Sequence, residues 1–490
     1  MPANKYEMEE IKKLNPTALW GYFAEMTQIP RPSGFMGPIQ AYVKKFGQDL
    51  GLKTDQDAAG NIIIHKPATP GMENKPGIVL QAHLDMVPQK NSSVSHDFEK
   101  DPIRPRIVDG WVKATETTLG SDNGIGVAAA MAVLASKDLT HGPVEALFTI
   151  DEETGMYGAF GLKPGEFDAK ILINLDSEHE GNLFVGCAGG VNLTAEFNYD
   201  HQAAVPEGDI AVKLLLKGLK GGHSGVDIHL GRANANKLLF RFLKDAVADL
   251  EVRLASFSGG TLRNAIPRES YAVVTIPEDG LQDLADAVAD YEEQLNDEFK
   301  GIENTLFFTL EQTELPDGLI PEEVQDDIIN AVVAAHDSVY RMIPEMLDVV
   351  ETSSNLAICE SAVGVARCKF LVRSSADSMK DTLVSTLQSL FALAGAKVTT
   401  DGDYPGWKPN LQSPILDLMS AIYKNDWNKM PHINVIHAGL ECGIIQDAVG
   451  ALDMISFGPN ISFPHSPDEG VEIESVERFW MYLIKVLAQI

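Results

Sequence analysis

The sequence predicts an α/β domain with a mostly parallel sheet, interrupted by an inserted α+β domain of ferredoxin-like β-α-β-β-α-β units. Two observations carry this reading. From about residue 10 to 180, and again after about residue 405, short apolar runs alternate with helical patterns, as strands flanked by helices require. Between these stretches the rhythm changes to strand, helix, two strands, helix, strand, and is then partly repeated. The expected boundaries are 1–187 and 405–490 for the first domain and 188–404 for the insertion.

In the first domain the runs Asn61 to His65, Gly77 to Gln81, Val144 to Ile150 and Lys170 to Leu175 are expected strands. Gly124 to Lys137 is rich in Ala and Val and has no proline, which predicts a helix buried on most sides. In the insertion, strands are expected at Ile210 to Lys217, Val252 to Ser256, Tyr271 to Ile276 and Thr305 to Leu310, with helices over Arg232 to Leu250 and Leu281 to Asn296. The partial echo is a helix from Pro321 to Met342, strands near Ser354 to Glu360 and Val365 to Ser374, a helix from Met379 to Ala394 and a strand at Lys397 to Thr400. It reads as a duplicated half of the same domain.

Lys and Arg total 39 against 70 Asp and Glu, for a formal charge of −31, which excludes a nucleic-acid-binding surface as the main function. No window reaches the roughly 18 to 20 apolar residues of a membrane span, and no apolar secretory core follows Met1-Pro2-Ala3-Asn4-Lys5. A cytoplasmic protein without a membrane partner is expected. Cys187, Cys359, Cys368 and Cys442 form no C-x-x-C pair, so any metal must be held by histidine and carboxylate.

Such residues stand at strand ends. His83 and Asp85 follow the run Gly77 to Gln81, and being two apart on extended chain they share a side, so one can bind a metal while the other orients it. Asp122 lies in Gly120-Ser121-Asp122-Asn123-Gly124-Ile125-Gly126, just before the buried helix. Asp151-Glu152-Glu153 follow Val144 to Ile150, and Asp176 follows Lys170 to Leu175. Each alone is an ordinary turn or cap residue. Together they fall where open parallel sheets bind ligands, at the carboxyl ends of strands. His465, in Ser462-Phe463-Pro464-His465-Ser466-Pro467, adds a second imidazole. Two histidines and three carboxylates suit zinc, with cobalt or manganese as substitutes. Two divalent cations, three carboxylates and one bridging hydroxide sum to zero charge, which favours a two-metal hydrolytic site. Of the adjacent glutamates, one would ligate and its neighbour handle a proton.

On these motifs, and on Gln81 to Val87, His96 to Asp101, Thr117 to Gly126, Asp151 to Gly158, Asn174 to Glu180, Gly221 to Gly225, Asn264 to Pro267, His437 to Gly443 and His465 to Glu469, the chain resembles the aminoacyl-histidine dipeptidases. These are also called cytosolic nonspecific dipeptidases or peptidase D, and belong to the two-zinc metallopeptidase family that includes aminoacylase and carnosinase. The resemblance implies that His83 and Asp176 ligate one zinc, Glu153 and His465 the other, and that Asp122 bridges them. It makes Asp85 the acid holding His83, Glu152 the general base, and His223, in Gly221-Gly222-His223-Ser224-Gly225, the group that stabilises the oxyanion. Asn264 and Arg373 resemble substrate-binding residues of the inserted lid, Arg373 being suited to a peptide's free carboxylate. The loop from His437 to Gly443 matches the dipeptidase branch.

The function expected is hydrolysis of unblocked dipeptides, including Xaa-His dipeptides such as carnosine, by a bridging hydroxide with Glu152 as base. The alternatives are a deacylase of N-acyl amino acids and a non-catalytic zinc- or peptide-binding homologue. A homodimer through the lid is expected, with a monomer as the other possibility, and His223 acts in the partner's site or in its own accordingly.

Overall fold

A computed structural model describes residues 5–490. Two units make up the chain. The first comprises Met1–Gly186, Trp407–Val435 and Leu440–Ile490, the second Cys187–Gly406 with Ile436–Gly439.

The first unit is built on an eight-stranded sheet with spatial order Lys53–Gln56, Ile62–Lys66, Val144–Thr149, Ile78–His83, Ile171–Asn174, Asp453–Ser456, Asn182–Cys187 and His432–Ile436. Its four inner strands, Val144–Thr149 through Asp453–Ser456, pair in parallel. Lys53–Gln56, Ile62–Lys66 and Asn182–Cys187 pair antiparallel. The sheet is therefore mixed rather than mostly parallel. Part of the reason is a tight connection: Asp57 accepts the amides of Gly60 and Asn61 at 2.7 and 2.8 Å and closes a hairpin, which leaves the joined strands no parallel option. Register sets His83 beside Thr149 and Gln81 beside Asn174, so the carboxyl ends of the inner strands are level. The helix Ser121–Ala135 is buried along nearly its whole length, as its Ala and Val content requires.

In the second unit the sheet has nine strands. Its main order is Phe307–Thr313, Asp209–Lys217, Ser270–Pro277, Arg253–Gly259, Met346–Ala362, Val365–Ser374, Gly189–Asn198 and Lys397–Tyr404, with Ser338–Ile343 paired to Met346–Ala362. The first β-α-β-β-α-β unit is contiguous, Asp209–Lys217 to Thr313. The echo is a complete copy, but its first strand is Gly189–Asn198, which precedes the whole of the first copy in sequence. One copy is nested inside the other. The expected helix Pro321 to Met342 stops at Ala334, and Ser338–Ile343 is a strand instead. There the Lys237 ammonium takes the carbonyls of Val332, Val333 and Ala335 at 2.7, 2.9 and 2.7 Å, and Ala335 is extended. Among the described residues no helix is long and apolar enough to cross a membrane.

Candidate metal centre

The inner strands of the first unit deliver their terminal side chains to one place. His83 closes the strand Ile78–His83, and Asp176 stands two residues past Ile171–Asn174. Glu152 and Glu153 follow Asp151, whose φ of 51° turns the chain sharply at the strand end. His465 also sits at a left-handed φ, 59°, in its loop. The His83 Nε2 lies 3.1 Å from Asp122 Oδ1 and 3.3 Å from Asp176 Oδ1. On the other side His465 Nε2 lies 3.2 Å from Asp122 Oδ2 and 3.1 Å from Glu153 Oε2. Two donor sets, His83 with Asp122 and Asp176, and Glu153 with Asp122 and His465, each gather within 4.8 Å and share Asp122, and His83 also gathers with Glu152 and Glu153 within the same distance.

Asp85 stands against His83 at 3.3 Å from Nδ1, without a formed hydrogen bond. Its carboxylate accepts the amides of Glu152 and Glu153 at 3.1 and 3.2 Å and the Ser33 hydroxyl at 2.8 Å. It therefore fixes the glutamate turn as well as facing the imidazole. The glycines around Asp122 have a specific neighbour in Arg31, a buried side chain the sequence reading passed over. A Cβ on Gly120 or Gly124 would come within 2.6 or 2.7 Å of its guanidinium, and Gly120 has φ +72°.

This cluster calls for cations. Burial, reinforced by neighbouring carboxylates, pushes Glu153 and Asp176 up and holds Glu178 at about 8. Burial with the carboxylates of Asp176, Glu153 and Glu441 raises Glu152 well above the usual carboxylate range, although His83 pulls the other way. His465, between Asp122 and Glu153, is driven up to about 11. Glu153 Oε1 is buried without a hydrogen-bond partner. Packed acids with an orphaned carboxylate oxygen are what divalent cations would satisfy, and the mixed nitrogen and oxygen set fits zinc. Glu441 was also missed. Fully buried, it accepts from Gln81 Nε2 at 2.7 Å and Thr149 Oγ1 at 2.6 Å, and burial raises it to about 8. No spacing pattern marks it, since its partners are remote in sequence.

In the second unit His223, Asn264 and Arg373 form a neighbourhood of their own. His223 pairs with Ala265 in a two-residue ladder, and Ser224 N donates to Asn264 O at 2.9 Å. The His223 Nδ1 accepts the backbone amides of Gly225 and Val226, both at 3.1 Å. Nδ1 is thereby unprotonated, which leaves the proton of the neutral ring on Nε2. Burial and the Arg373 guanidinium lower its pKa to about 4. Arg373 is 5% exposed and has no carboxylate partner among the described residues, bonding instead to the Tyr404 hydroxyl at 3.0 Å and Ser224 Oγ at 3.5 Å. His437 is buried beside it, with Nε2 2.7 Å from Ser353 Oγ.

Residues 79–489 match the model of peptidase family M20/M25/M40. The chain belongs to this family. The match spans every residue of both donor sets, and the member described here is a metallopeptidase of a family that uses divalent metals. It is 47% identical over 483 residues to the cytosol non-specific dipeptidase of Escherichia coli K12, covering 99% of each chain. The crystal structure of aminoacylhistidine dipeptidase from Vibrio alginolyticus superposes with a TM-score of 0.92 at 46% identity, covering 98% of each chain. A tripeptidase from Staphylococcus aureus, 16% identical and with a TM-score of 0.55 over 97% of this chain and 98% of its own, shares the fold of this M20 peptidase.

Proposed function

We propose that this metallopeptidase is a dipeptidase that holds two zinc ions, replaceable by cobalt or manganese, and acts in the cytoplasm on unblocked dipeptides, including Xaa-His dipeptides such as carnosine. The observation that carries the reading is Asp122, whose two oxygens face two separate imidazoles, so that one carboxylate serves both donor sets. The likeness along the whole chain to a cytosol non-specific dipeptidase and an aminoacylhistidine dipeptidase supports the substrate class and the compartment.

In this reading His83 and Asp176 hold one cation, Glu153 and His465 the other, and Asp122 both. Cations bound there supply Lewis acidity, making water a stronger acid, with a pKa toward roughly 7, and polarising the peptide carbonyl. Glu152, raised by burial, accepts the proton of the attacking water and returns it to the nitrogen of the leaving amine. Asp85 keeps Glu152 in place through its backbone amide. His223 donates its Nε2 proton as a hydrogen bond to the carbonyl oxygen as charge develops there, and does so as a neutral ring. Arg373 pairs with the C-terminal carboxylate, and Asn264 binds the substrate backbone. Assembly as a homodimer through the second unit completes the proposal, supported by the family resemblance and by exposed apolar side chains such as Leu347 and Leu393, 73% and 90% exposed.

The test is release of free histidine from β-Ala-His and Ala-His by zinc-loaded protein, beside their N-acetylated forms. Cleavage of the free dipeptides alone is expected. Cleavage of only the acetylated pair would make the protein a deacylase, and inertness toward all four would leave a binding protein.

A further inference from the structure

Asp122 has to present one oxygen to each of two cations, yet its own backbone is irregular. It lies inside the span Ser121–Ala135 with φ −84° and ψ 110°, outside helical geometry. What holds it there is a second carboxylate. Glu469, 2% exposed, accepts four consecutive amides: Leu119 and Gly120 on Oε2 at 2.7 and 3.1 Å, Ser121 and Asp122 on Oε1 at 2.7 and 3.4 Å. The Ser121 hydroxyl adds a fifth donor at 2.5 Å. Starting a helix needs far less, since a single serine or asparagine oxygen serves as an N-cap. From the opposite side of the turn Arg31 takes the Gly120 carbonyl, and with its other nitrogen the carbonyls of Leu84 and Asp85 at 2.9 and 3.0 Å. One turn is thus gripped by its amides from Glu469 and by its carbonyl from Arg31. Arg31 joins it to the segment carrying His83, and Glu469 joins it to the loop carrying His465, four residues earlier.

We propose that Glu469 is the positioning residue of the dinuclear centre: by fixing the turn Leu119–Asp122 it sets the direction in which Asp122 presents an oxygen to each cation, while Arg31 ties that turn to the strand of His83. The inference rests on Asp122 serving both sites.

The experiment compares wild type with Glu469→Gln, which keeps the shape but turns an amide NH2 toward backbone donors. Both are freed of metal and titrated with Zn2+ against a chromophoric chelator, then with Co2+ while visible absorption is recorded. The variant is expected to bind zinc 10- to 100-fold more weakly, as for other losses of outer-shell support, and to show a changed Co2+ spectrum with unchanged circular dichroism. A folded variant with wild-type zinc affinity and Co2+ spectrum would overturn the proposal, even if its metal-free form melted earlier, because that is all a purely structural role predicts. If Glu469→Gln does not fold, Glu469→Asp, which keeps the charge and withdraws it by one methylene, is judged by the same two readouts. Uptake of fewer than two ions by the wild type itself would refute the two-metal reading, and with it this proposal, and is told apart from a wild-type-like variant because it shows before any substitution is made.

Discussion

Replacing Arg373 by methionine separates a binding role from a structural one, because the two predict opposite signs for stability. The guanidinium is 5% exposed, with only a hydroxyl at 3.0 Å and another at 3.5 Å. A cation buried without a counter-ion is a cost to the free protein. Methionine retains most of the apolar stem and removes the charge, so the variant is expected to melt at the wild-type temperature or above it. Activity should move the other way. Two charge-assisted hydrogen bonds to a carboxylate contribute about 1.5 to 3 kcal/mol each, so their loss lowers kcat/KM by about 10²- to 10⁴-fold. The assay is steady-state hydrolysis of a free dipeptide and of its C-terminal amide by both proteins. Wild type should prefer the free acid by about the factor lost in the variant, and Arg373→Met should treat acid and amide alike. A variant that still prefers the acid, or that loses several kcal/mol of stability while keeping full kcat/KM, would refute the assignment.

Glu152→Gln should lower kcat by about 10²- to 10⁴-fold while the bound metal, measured on the purified protein, stays at the wild-type ratio; lost metal would mean that Glu152 ligates rather than transfers protons. Stability should also fall in acid. His223 and His437 are held at about 4 and about 3, against an ordinary imidazole value of 6.5, in each case first by burial and next by Arg373. Below pH 6.5 the unfolded chain takes up protons that the folded chain refuses, so stability is lost as pH falls toward these values. In His437→Leu the slope of unfolding free energy against pH should be shallower over this range, by up to one proton, and an unchanged slope would contradict the neutral buried ring.

The candidate centre was legible because the residues proposed to hold metal sit at the ends of apolar runs, and such runs are visible without tertiary information. His83, Asp122, Glu153, Asp176 and His465 needed only strand ends, one helix start and one stiff loop. What escaped were residues whose role is set by remote partners. Arg31 acts on backbone carbonyls at 84, 85 and 120, and Glu469 on amides 348 residues away in the case of Ser121. No periodicity records such contacts. The helix expected to reach Met342 failed for a similar reason, since a lysine from another helix caps its last carbonyls. The mixed character of the sheet was lost because an apolar run reads the same in either direction.

The nesting of the two copies in the second unit sets an order of assembly during synthesis. The inner copy is complete when residue 313 emerges, and every one of its strands has a partner within itself. The strand Gly189–Asn198 is made earlier but pairs with Val365–Ser374 and Lys397–Tyr404, so even its nearest ladder contact, Asn198 with Val365, spans 167 residues. At about 5 to 20 residues per second, roughly ten to thirty seconds pass between them. During that time Val191, Leu193, Ala195 and Phe197, all buried in the finished protein, have no sheet to join. The segment synthesised first in this unit is therefore among the last to be secured, and the nascent chain is most exposed to aggregation after its inner half has already folded.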